Sequence, residues 1–233
     1  FLPYARQIYD AMSRGKKEIL AVSKGNSGLL SFGASNALSQ YVLPSLLEQF
    51  LHSHPHLQIN IIANPSDIVI EKLLERKYTF GLTRHFKTDP DLKFELLHED
   101  QIHLAASPHH HFSKSDKIDL EEACKEPLFI YPEGTFFHSV IEKTLLSLHI
   151  RIQNPIEINH AELIKSLVKS GFGISLLPGL YIKKELESGE LISLPLSHNP
   201  FLPRGTYIAY NKDYTDGSFQ IFLEFCRSFF QTL

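Results

Sequence analysis

The chain alternates between short strand-like runs and amphipathic helix-like runs over most of its 233 residues, and this alternation constrains the fold more than any other feature. The apolar run "LLSFGA" precedes a helical pattern from Leu38 to Phe50, and "LQINIIA" precedes a second one from Ile68 to Leu74. The run "FGLTR" is then typical of a short third strand. Strands and helices in this order predict parallel strands joined by crossover helices, so the chain is an α/β protein.

The later part of the chain contains a second set of the same kind. It comprises "LFIY", a helix from about 137 to 148, "PIEI", a helix from about 161 to 170, and "GISLLP". The strand "GTYIAY" and a phenylalanine-rich closing helix complete the chain. We therefore expect two Rossmann-like lobes with an interlobe cleft. Lobe I takes residues 28–106 and 206–233 and lobe II takes 107–205, so the chain crosses near Ser107 and again around Pro203.

Residues 1–24 form a separate helical pattern before the first strand. Apolar or small residues recur there with alternating gaps of four and three, as in a heptad seam. Two interpretations stay open: a linker helix that pairs with another copy of the chain, and an ordinary amphipathic helix that packs on its own domain.

Charge and composition narrow the class of protein. The chain has a net charge of −3 and no excess of Lys and Arg, so we expect that it is not itself a DNA-binding domain. Cys124 and Cys226 are far apart and lack C-x-x-C spacing, which favours reduced, buried thiols. There is neither an apolar run long enough to span a membrane nor a signal-like start, so we expect a cytoplasmic protein with no membrane partner.

Polar side chains follow each expected strand of lobe I at the point where it ends. These residues are Ser35 and Asn36, Asn64 and Ser66, and Thr83 and Arg84. Ligands of such folds bind outside the carboxyl ends of the strands, where helix N-termini present backbone N–H groups that attract anions. The alternatives are that Ser35 or Asn36 merely caps its own helix, and that Arg84 is a solvated surface residue.

Lobe II repeats this arrangement in "YPEGTFFHS", where Gly134, Thr135 and Phe136 lie between a strand and a helix. His160 occupies a later strand end in "EINHAE". Two helix starts with hydroxyl groups, one in each lobe, would hold one small anionic ligand in the cleft.

Histidine is abundant, with 13 residues, but neither cluster predicts a metal site. The clusters are His52, His54 and His56, and the triplet His109, His110 and His111. Cysteines at zinc spacing are missing, so solvated loop histidines are the preferred interpretation, with a short metal-binding tract as the alternative for the triplet.

Signatures of catalysis are also missing: there is no G-x-S-x-G, no H-E-x-x-H and no phosphate-binding P-loop. The carboxylates Glu99, Asp100, Glu121 and Glu122 are interpreted as solvated charges. We expect no enzyme, no catalytic residues and no cofactor.

Several segments match one known family in order. "GLLSFGASNALSQYVLPSLLEQFLHSHPHLQINI", "DPDLKFELLHEDQIHLAASPHHHF" and "VKSGFGISLLPGLYIKKELESGELISLPL" together resemble the effector-binding portion of LysR-type transcriptional regulators, and "LPYARQIYDAM" resembles the end of their linker helix. The resemblance implies a type 2 periplasmic-binding-protein-like fold that holds a small effector. It also implies dimers or tetramers, which contact DNA through an N-terminal winged helix-turn-helix outside these residues.

The resemblance further implies ligand positions at Ser35, Asn36, Thr83, Thr135 and His160. The chain departs from the family pattern at the second helix start, where Phe136 and Phe137 replace small residues and would narrow the cleft. Two other functions are weighed beside the regulator: a solute-binding protein of a transport system, which shares the fold, and an enzyme built on the same scaffold.

Overall fold

The computed structural model describes residues 8, 9, 11, 12, 28–214 and 216–233. The predicted helix over residues 1–24 falls almost entirely outside these described residues. Its four described members, Ile8, Tyr9, Ala11 and Met12, are helical and exposed. The choice between a pairing helix and one that packs on its own domain stays a prediction.

Strands and helices alternate along the described chain. The strands are β1 (Leu29–Ser35), β2 (Gln58–Asn64), β3 (Phe80–Thr83), β4 (Leu92–Asp100), β5 (Ile102–Ala106), β6 (Pro127–Ile130), β7 (Asn154–Glu157), β8 (Ile174–Pro178), β9 (Ile192–Leu194) and β10 (Arg204–Asn211). The helices are α1 (Asn36–Tyr41), α2 (Leu43–Ser53), α3 (Ser66–Leu74), α4 (Leu120–Ala123), α5 (Phe136–Ser147), α6 (Ala161–Lys169), α7 (Gly179–Ser188) and α8 (Gly217–Gln231), with a 3₁₀ helix at His111–Lys114.

The chain folds into two compact units, each built on a five-stranded sheet. Unit 1 comprises Phe1–His98 and Gly205–Leu233, and unit 2 comprises Glu99–Arg204. The strand order is β2-β1-β3-β10-β4 in one sheet and β7-β6-β8-β5-β9 in the other. In both sheets three parallel strands are followed by an antiparallel one, β10 beside β3 and β5 beside β8. The expectation of two α/β lobes is confirmed.

The first lobe boundary predicted from the sequence is wrong. Strand β5 was expected in lobe I, but it pairs with β8 and β9 in the sheet of unit 2. The chain therefore passes into unit 2 at Glu99, several residues before Ser107. The second boundary, at Arg204, lies beside the predicted Pro203. The unit to which β5 belongs is decided by its pairing with β8 and β9, which come much later in the chain. The sequence of β5 alone does not indicate these partners.

The core of unit 1 contains a cluster of aromatic rings. Helix α8 buries the six side chains predicted for its apolar face, Phe219, Phe222, Leu223, Cys226, Phe229 and Phe230. The ring of Phe222 lies 5.1 Å from that of Phe32 on β1 and 5.1 Å from that of Phe50 on α2. Helix α8 thus covers the sheet, as an apolar helical face requires.

Close packing of α3 against the sheet depends on a glycine. A Cβ on Gly81 of β3 would lie 2.6 Å from the Val69 Cγ1 atom of α3 and 2.9 Å from the carbonyl oxygen of Gly33 on β1. Glycine is therefore required for this approach, which holds the N-terminus of α3, at Ser66, against the ends of the strands.

The interpretation of the acidic residues as solvated charges is wrong for Asp100. Its side chain is buried and its Oδ2 accepts a hydrogen bond of 3.1 Å from the backbone N–H of Leu180, in the first turn of α7. A carboxylate in this position satisfies a helix N–H group and interacts favourably with the helix dipole.

Both cysteines are buried and unbonded to each other, as expected. Burial raises the pKa of the Cys124 thiol to about 11 and raises the pKa of Cys226 further still, so both stay protonated at neutral pH. Within the described residues, no helix combines the length and apolarity needed to cross a bilayer.

Candidate functional site

The six polar residues predicted in lobe I all lie at the carboxyl edge of β1, β2 and β3. Ser35 and Asn64 end β1 and β2 as direct register partners, and Thr83 ends the third parallel strand. The backbone N–H of Arg84 donates a 3.1 Å hydrogen bond to Ser66 Oγ, which joins the end of β3 to the start of α3. Sequence reasoning therefore placed these residues together correctly.

Ser35 is the N-cap of α1. Its Oγ accepts a hydrogen bond of 3.2 Å from the backbone N–H of Leu38, so Ser35 caps its own helix. That bond uses an oxygen lone pair and leaves the hydroxyl proton available to donate. The backbone N–H groups of Asn36 and Ala37 lie in the first turn and have no partner within the helix. Capping and ligand binding at Ser35 are therefore compatible.

Arg84 is not a solvated surface residue. It is only 4% exposed, and its Nη1 donates a hydrogen bond of 2.5 Å to Thr206 Oγ1, on the neighbouring strand β10. Thr83 is fully buried and its hydroxyl donates to the carbonyl oxygen of His85. The amide of Asn64 donates to the hydroxyl of Tyr78 over 3.1 Å. A guanidinium group thus lies buried behind the strand ends of unit 1.

The corresponding edge of unit 2 starts with a turn between β6 and α5. Gly134 has a φ of 86°, in the left-handed region that favours glycine, and this conformation brings the chain into the helix at Thr135. Thr135 Oγ1 donates to the carbonyl oxygen of Pro132 over 2.9 Å and accepts from the backbone N–H of His138 over 3.2 Å. Because its proton is already donated, Thr135 acts as a cap, and the N–H groups of Phe136 and Phe137 in the first turn have no partner within the helix.

The two phenylalanines at this helix start differ in their surroundings. Phe137 packs against the core of unit 2, with its ring perpendicular to that of Tyr131 at 5.6 Å, so the expectation that both rings narrow the ligand site is wrong for Phe137. Phe136 stays 44% exposed. The guanidinium carbon of Arg204 lies 5.1 Å from the Phe136 ring centre and 5.2 Å from that of Phe137.

Arg204 was missed by the sequence analysis. It is 7% exposed and comes 68 positions after Phe136. The local sequence "FLPRGTY" therefore does not indicate that this arginine lies beside the start of α5. Stacking against two rings fixes a positive charge at the first turn of α5, where the helix dipole is also positive. The two effects add, and both favour a bound anion.

His160 caps α6, which follows β7, the parallel neighbour of β6. Its Nδ1 accepts a hydrogen bond of 3.2 Å from the backbone N–H of Leu163. In the neutral ring the proton therefore resides on Nε2, which is able to donate. Tyr131 directly follows β6 at the same edge of the sheet. Burial raises the pKa of its hydroxyl group, which therefore stays protonated and able to donate at neutral pH.

Unit 2 also contains a largely apolar cavity of about 310 Å³ beneath α5. It is lined by side chains of α5 and β7 and of the segment that joins them, among them Ile141, Leu145 and Ile152, with Arg151 and Glu157 contributing charge. Thr135 and His160 do not line it, but Tyr131 and Phe137 do, so the cavity borders the strand-end residues of unit 2.

These features define a class of protein: an α/β fold of the type 2 periplasmic-binding-protein-like kind, with donors and buried arginines at the strand ends. The LysR substrate binding domain family matches residues 23–231. The chain belongs to that family, the effector-sensing part of LysR-type transcriptional regulators.

Relatives and solved structures agree. The HTH-type transcriptional regulator YeiE of Escherichia coli strain K12, whose function is uncharacterised, is 24% identical over 212 residues, which is 90% of this chain and 71% of YeiE. CysL of Bacillus subtilis strain 168, also an HTH-type transcriptional regulator, is 24% identical over 204 residues, 88% of this chain and 68% of CysL. Both relatives are transcriptional regulators rather than transport proteins.

Two solved structures share the fold. The BenM effector-binding domain with its effector benzoate has a TM-score of 0.73 at 22% identity, and the match covers 88% of this chain and 92% of BenM's. The regulatory domain of Synechocystis PCC6803 CcmR in complex with 2-PG has a TM-score of 0.76 at 18% identity, covering 88% of this chain and 99% of the other.

Proposed function

We propose that this domain senses a small anion and that the strand-end residues of each unit offer candidate donors for it. In unit 1 these donors are the Ser35 hydroxyl and the first N–H groups of α1. In unit 2 they are the first N–H groups of α5 and the Nε2–H of His160. The effectors named for the BenM and CcmR structures, benzoate and 2-PG, support this class of ligand.

The observation that carries the proposal is the position of Arg204. Its charge is held by Phe136 and Phe137 at the N-terminus of α5. A guanidinium bonded to a carboxylate or sulfate in a partly buried place forms a strong, charge-assisted hydrogen bond.

The protein does no chemistry on the ligand in this proposal. Binding instead favours one of two conformations, and the coupling free energy passes to DNA-binding domains elsewhere in the full-length regulator. We expect self-association into dimers or tetramers, and an intracellular location where the regulator meets DNA. Among the functions weighed from the sequence, solute transport has no support from the relatives, which are regulators.

Isothermal titration calorimetry tests the ligand class. The probes are benzoate, inorganic sulfate and inorganic phosphate, with benzamide as the neutral control that matches benzoate in shape. We expect saturable one-to-one binding by at least one of the anions and none by benzamide. Absence of binding by every anion, or equal binding of benzoate and benzamide, contradicts the proposal.

Two arginine variants test the place of binding. Arg204→Gln removes the stacked charge and should weaken anion binding about tenfold or more, the factor that corresponds to one charge-assisted hydrogen bond. Arg151→Gln removes an exposed arginine of the same unit, beside the apolar cavity, and should leave the affinity unchanged. Loss of binding in Arg151→Gln alone would instead assign the anion to that cavity.

Ser35→Ala tests the contribution of unit 1 separately. It should weaken any anion binding that depends on unit 1, because the hydroxyl donor is lost. It should also lower the free energy of unfolding by about 1 kcal/mol, because the N-cap bond to Leu38 is lost as well. Ser35→Asn keeps a capping oxygen and is the control for stability.

A further inference from the structure

Two histidines of the triplet lie against a glutamate that the sequence places 15 residues away. The Nε2 atom of His111 is 3.4 Å from Glu126 Oε1, and the Nε2 atom of His110 is 3.8 Å from Glu126 Oε2. One ligand atom from each of the three side chains lies within 4.8 Å of the other two. Sequence reasoning preferred solvated histidines here because it had no reason to connect Glu126 with them.

Local structure holds the three groups in place. His110 precedes the 3₁₀ helix His111–Lys114, and Glu126 immediately precedes β6. The rings of His110 and His111 are 4.4 Å apart and both contact Phe112, a buried residue of unit 2. The side chain of His110 is 7% exposed, so its orientation is set by packing.

The spacing suits a small divalent cation. Zinc binds imidazole nitrogen at about 2.0–2.1 Å and carboxylate oxygen at about 2.0–2.2 Å, so neighbouring ligand atoms in a tetrahedral site are roughly 3.4 Å apart. The two nitrogen-to-oxygen separations, 3.4 Å to Oε1 and 3.8 Å to Oε2 of Glu126, approach this value. His111 is 61% exposed and Glu126 is 26% exposed, which leaves one side open to water as the fourth ligand.

We propose that His110, His111 and Glu126 form a binding site for a divalent transition-metal ion of the Zn²⁺ type, with two imidazoles, one carboxylate and a water as ligands. Imidazole nitrogen together with carboxylate oxygen is a ligand set that zinc uses in proteins. The site lies among residues 110–126 of unit 2, apart in the sequence from the strand-end residues, and is independent of the anion proposal.

Binding of a metal ion by His110 requires a change in the hydrogen bonding of its ring. Its Nδ1 accepts a 3.2 Å hydrogen bond from the backbone N–H of Phe112. A metal on Nε2 moves the remaining ring proton to Nδ1, so this hydrogen bond must break when the ion binds.

This coupling supplies a specific signature. The backbone amide resonance of Phe112 should shift on addition of Zn²⁺ and its hydrogen exchange should accelerate, because the amide loses its acceptor. An ion that bound loosely to surface histidines elsewhere would leave this amide unchanged.

The experiment is isothermal titration of the chain with ZnCl₂ in a weakly coordinating buffer, after purification without a histidine tag and treatment with a chelator. His111→Asn and Glu126→Gln should each weaken the affinity of the highest-affinity one-to-one site about tenfold or more, because each removes one ligand. His109→Asn is the matched control, since it removes the exposed third histidine, which is outside the cluster, and should leave the affinity unchanged.

Circular dichroism spectra of the three variants serve to confirm that they are folded. Absence of a one-to-one site in the wild-type chain overturns the proposal. So does an equal loss of affinity in His109→Asn, or a Phe112 amide that does not respond to Zn²⁺. Should Glu126→Gln lower stability yet leave zinc affinity unchanged, the cluster would be an ion pair alone.

Discussion

A buried lysine in unit 2 gives the sharpest prediction about stability. Lys165 of α6 is 4% exposed, and its ammonium lies 2.7 Å from Glu185 Oε1 on α7 and 2.7 Å from Glu162 Oε1. It also donates to the carbonyl oxygen of Tyr181 over 3.0 Å. The Oε2 atom of Glu185 is buried and has no hydrogen-bond partner within the described part of the chain, so this carboxylate depends on Lys165.

Lys165→Met should lower the free energy of unfolding by about 3 kcal/mol. Removal of one partner of a buried ion pair costs roughly 3–5 kcal/mol because the other charge stays buried without compensation. We take the lower end because Glu185 is 12% exposed and because Glu162, at 41%, contributes only about 0–1 kcal/mol.

The double variant Lys165→Met, Glu185→Leu tests the reason for this loss. It removes both buried charges and fills their space with apolar atoms, so its stability should return to within about 1 kcal/mol of wild type or exceed it.

The free energies of unfolding of wild type and of each variant are measured by urea unfolding at pH 7, followed by far-ultraviolet circular dichroism. Lys169→Met is the control, because it makes the same substitution on the same helix at the exposed pair with Glu190 and should cost under about 0.5 kcal/mol. The reasoning fails if Lys165→Met costs no more than Lys169→Met, or if the double variant is as unstable as Lys165→Met.

Two further predictions concern unit 1. Hydrogen bonds from Arg227 lower the pKa of Glu95, so the pair stabilises the fold fully above the ordinary glutamate pKa of about 4.3 and loses its effect as the pH falls through the lower folded-state value. The free energy of unfolding of wild type should therefore exceed that of Glu95→Gln by about 1 kcal/mol at pH 7. The difference in thermal denaturation should shrink as the pH falls below about 4.3, whereas a constant difference would contradict the ion pair. Phe222→Ala should lower the free energy of unfolding by about 3–5 kcal/mol in urea titrations, because a fully buried ring between Phe32 and Phe50 leaves a cavity; a cost under 1 kcal/mol would mean that α8 does not cover the sheet as described.

Hydrophobic periodicity was sufficient to predict the order and kind of most elements. Strand β1 and helix α8 were identified from the spacing of their own apolar residues, and the structure buries the α8 residues that were named. One predicted helix is divided into α1 and α2, which meet at Val42, directly before Leu43 and Pro44. The polar residues at strand ends were also found, because chain order alone fixes which residues come directly after a strand.

The pairing of strands and the burial of polar side chains could be determined only from the tertiary structure. Strand β5 was assigned to the wrong lobe because β8 and β9 determine its place. Asp100 was interpreted as a surface charge, and a surface position was one alternative for Arg84. Each is buried against a partner, Leu180 and Thr206, that lies far along the chain. Strand β4 was not predicted at all.

The candidate sites divide in the same way. The sequence alone determined that hydroxyls and helix N-termini come after the strands, since those positions are consecutive in the chain. Only the tertiary structure placed Arg204 over Phe136 and brought Glu126 to His110 and His111. The physical reason is that backbone conformation responds to near neighbours in the sequence, whereas the energy of a charge depends on every atom within a few ångströms, and folding brings most of those atoms from distant segments.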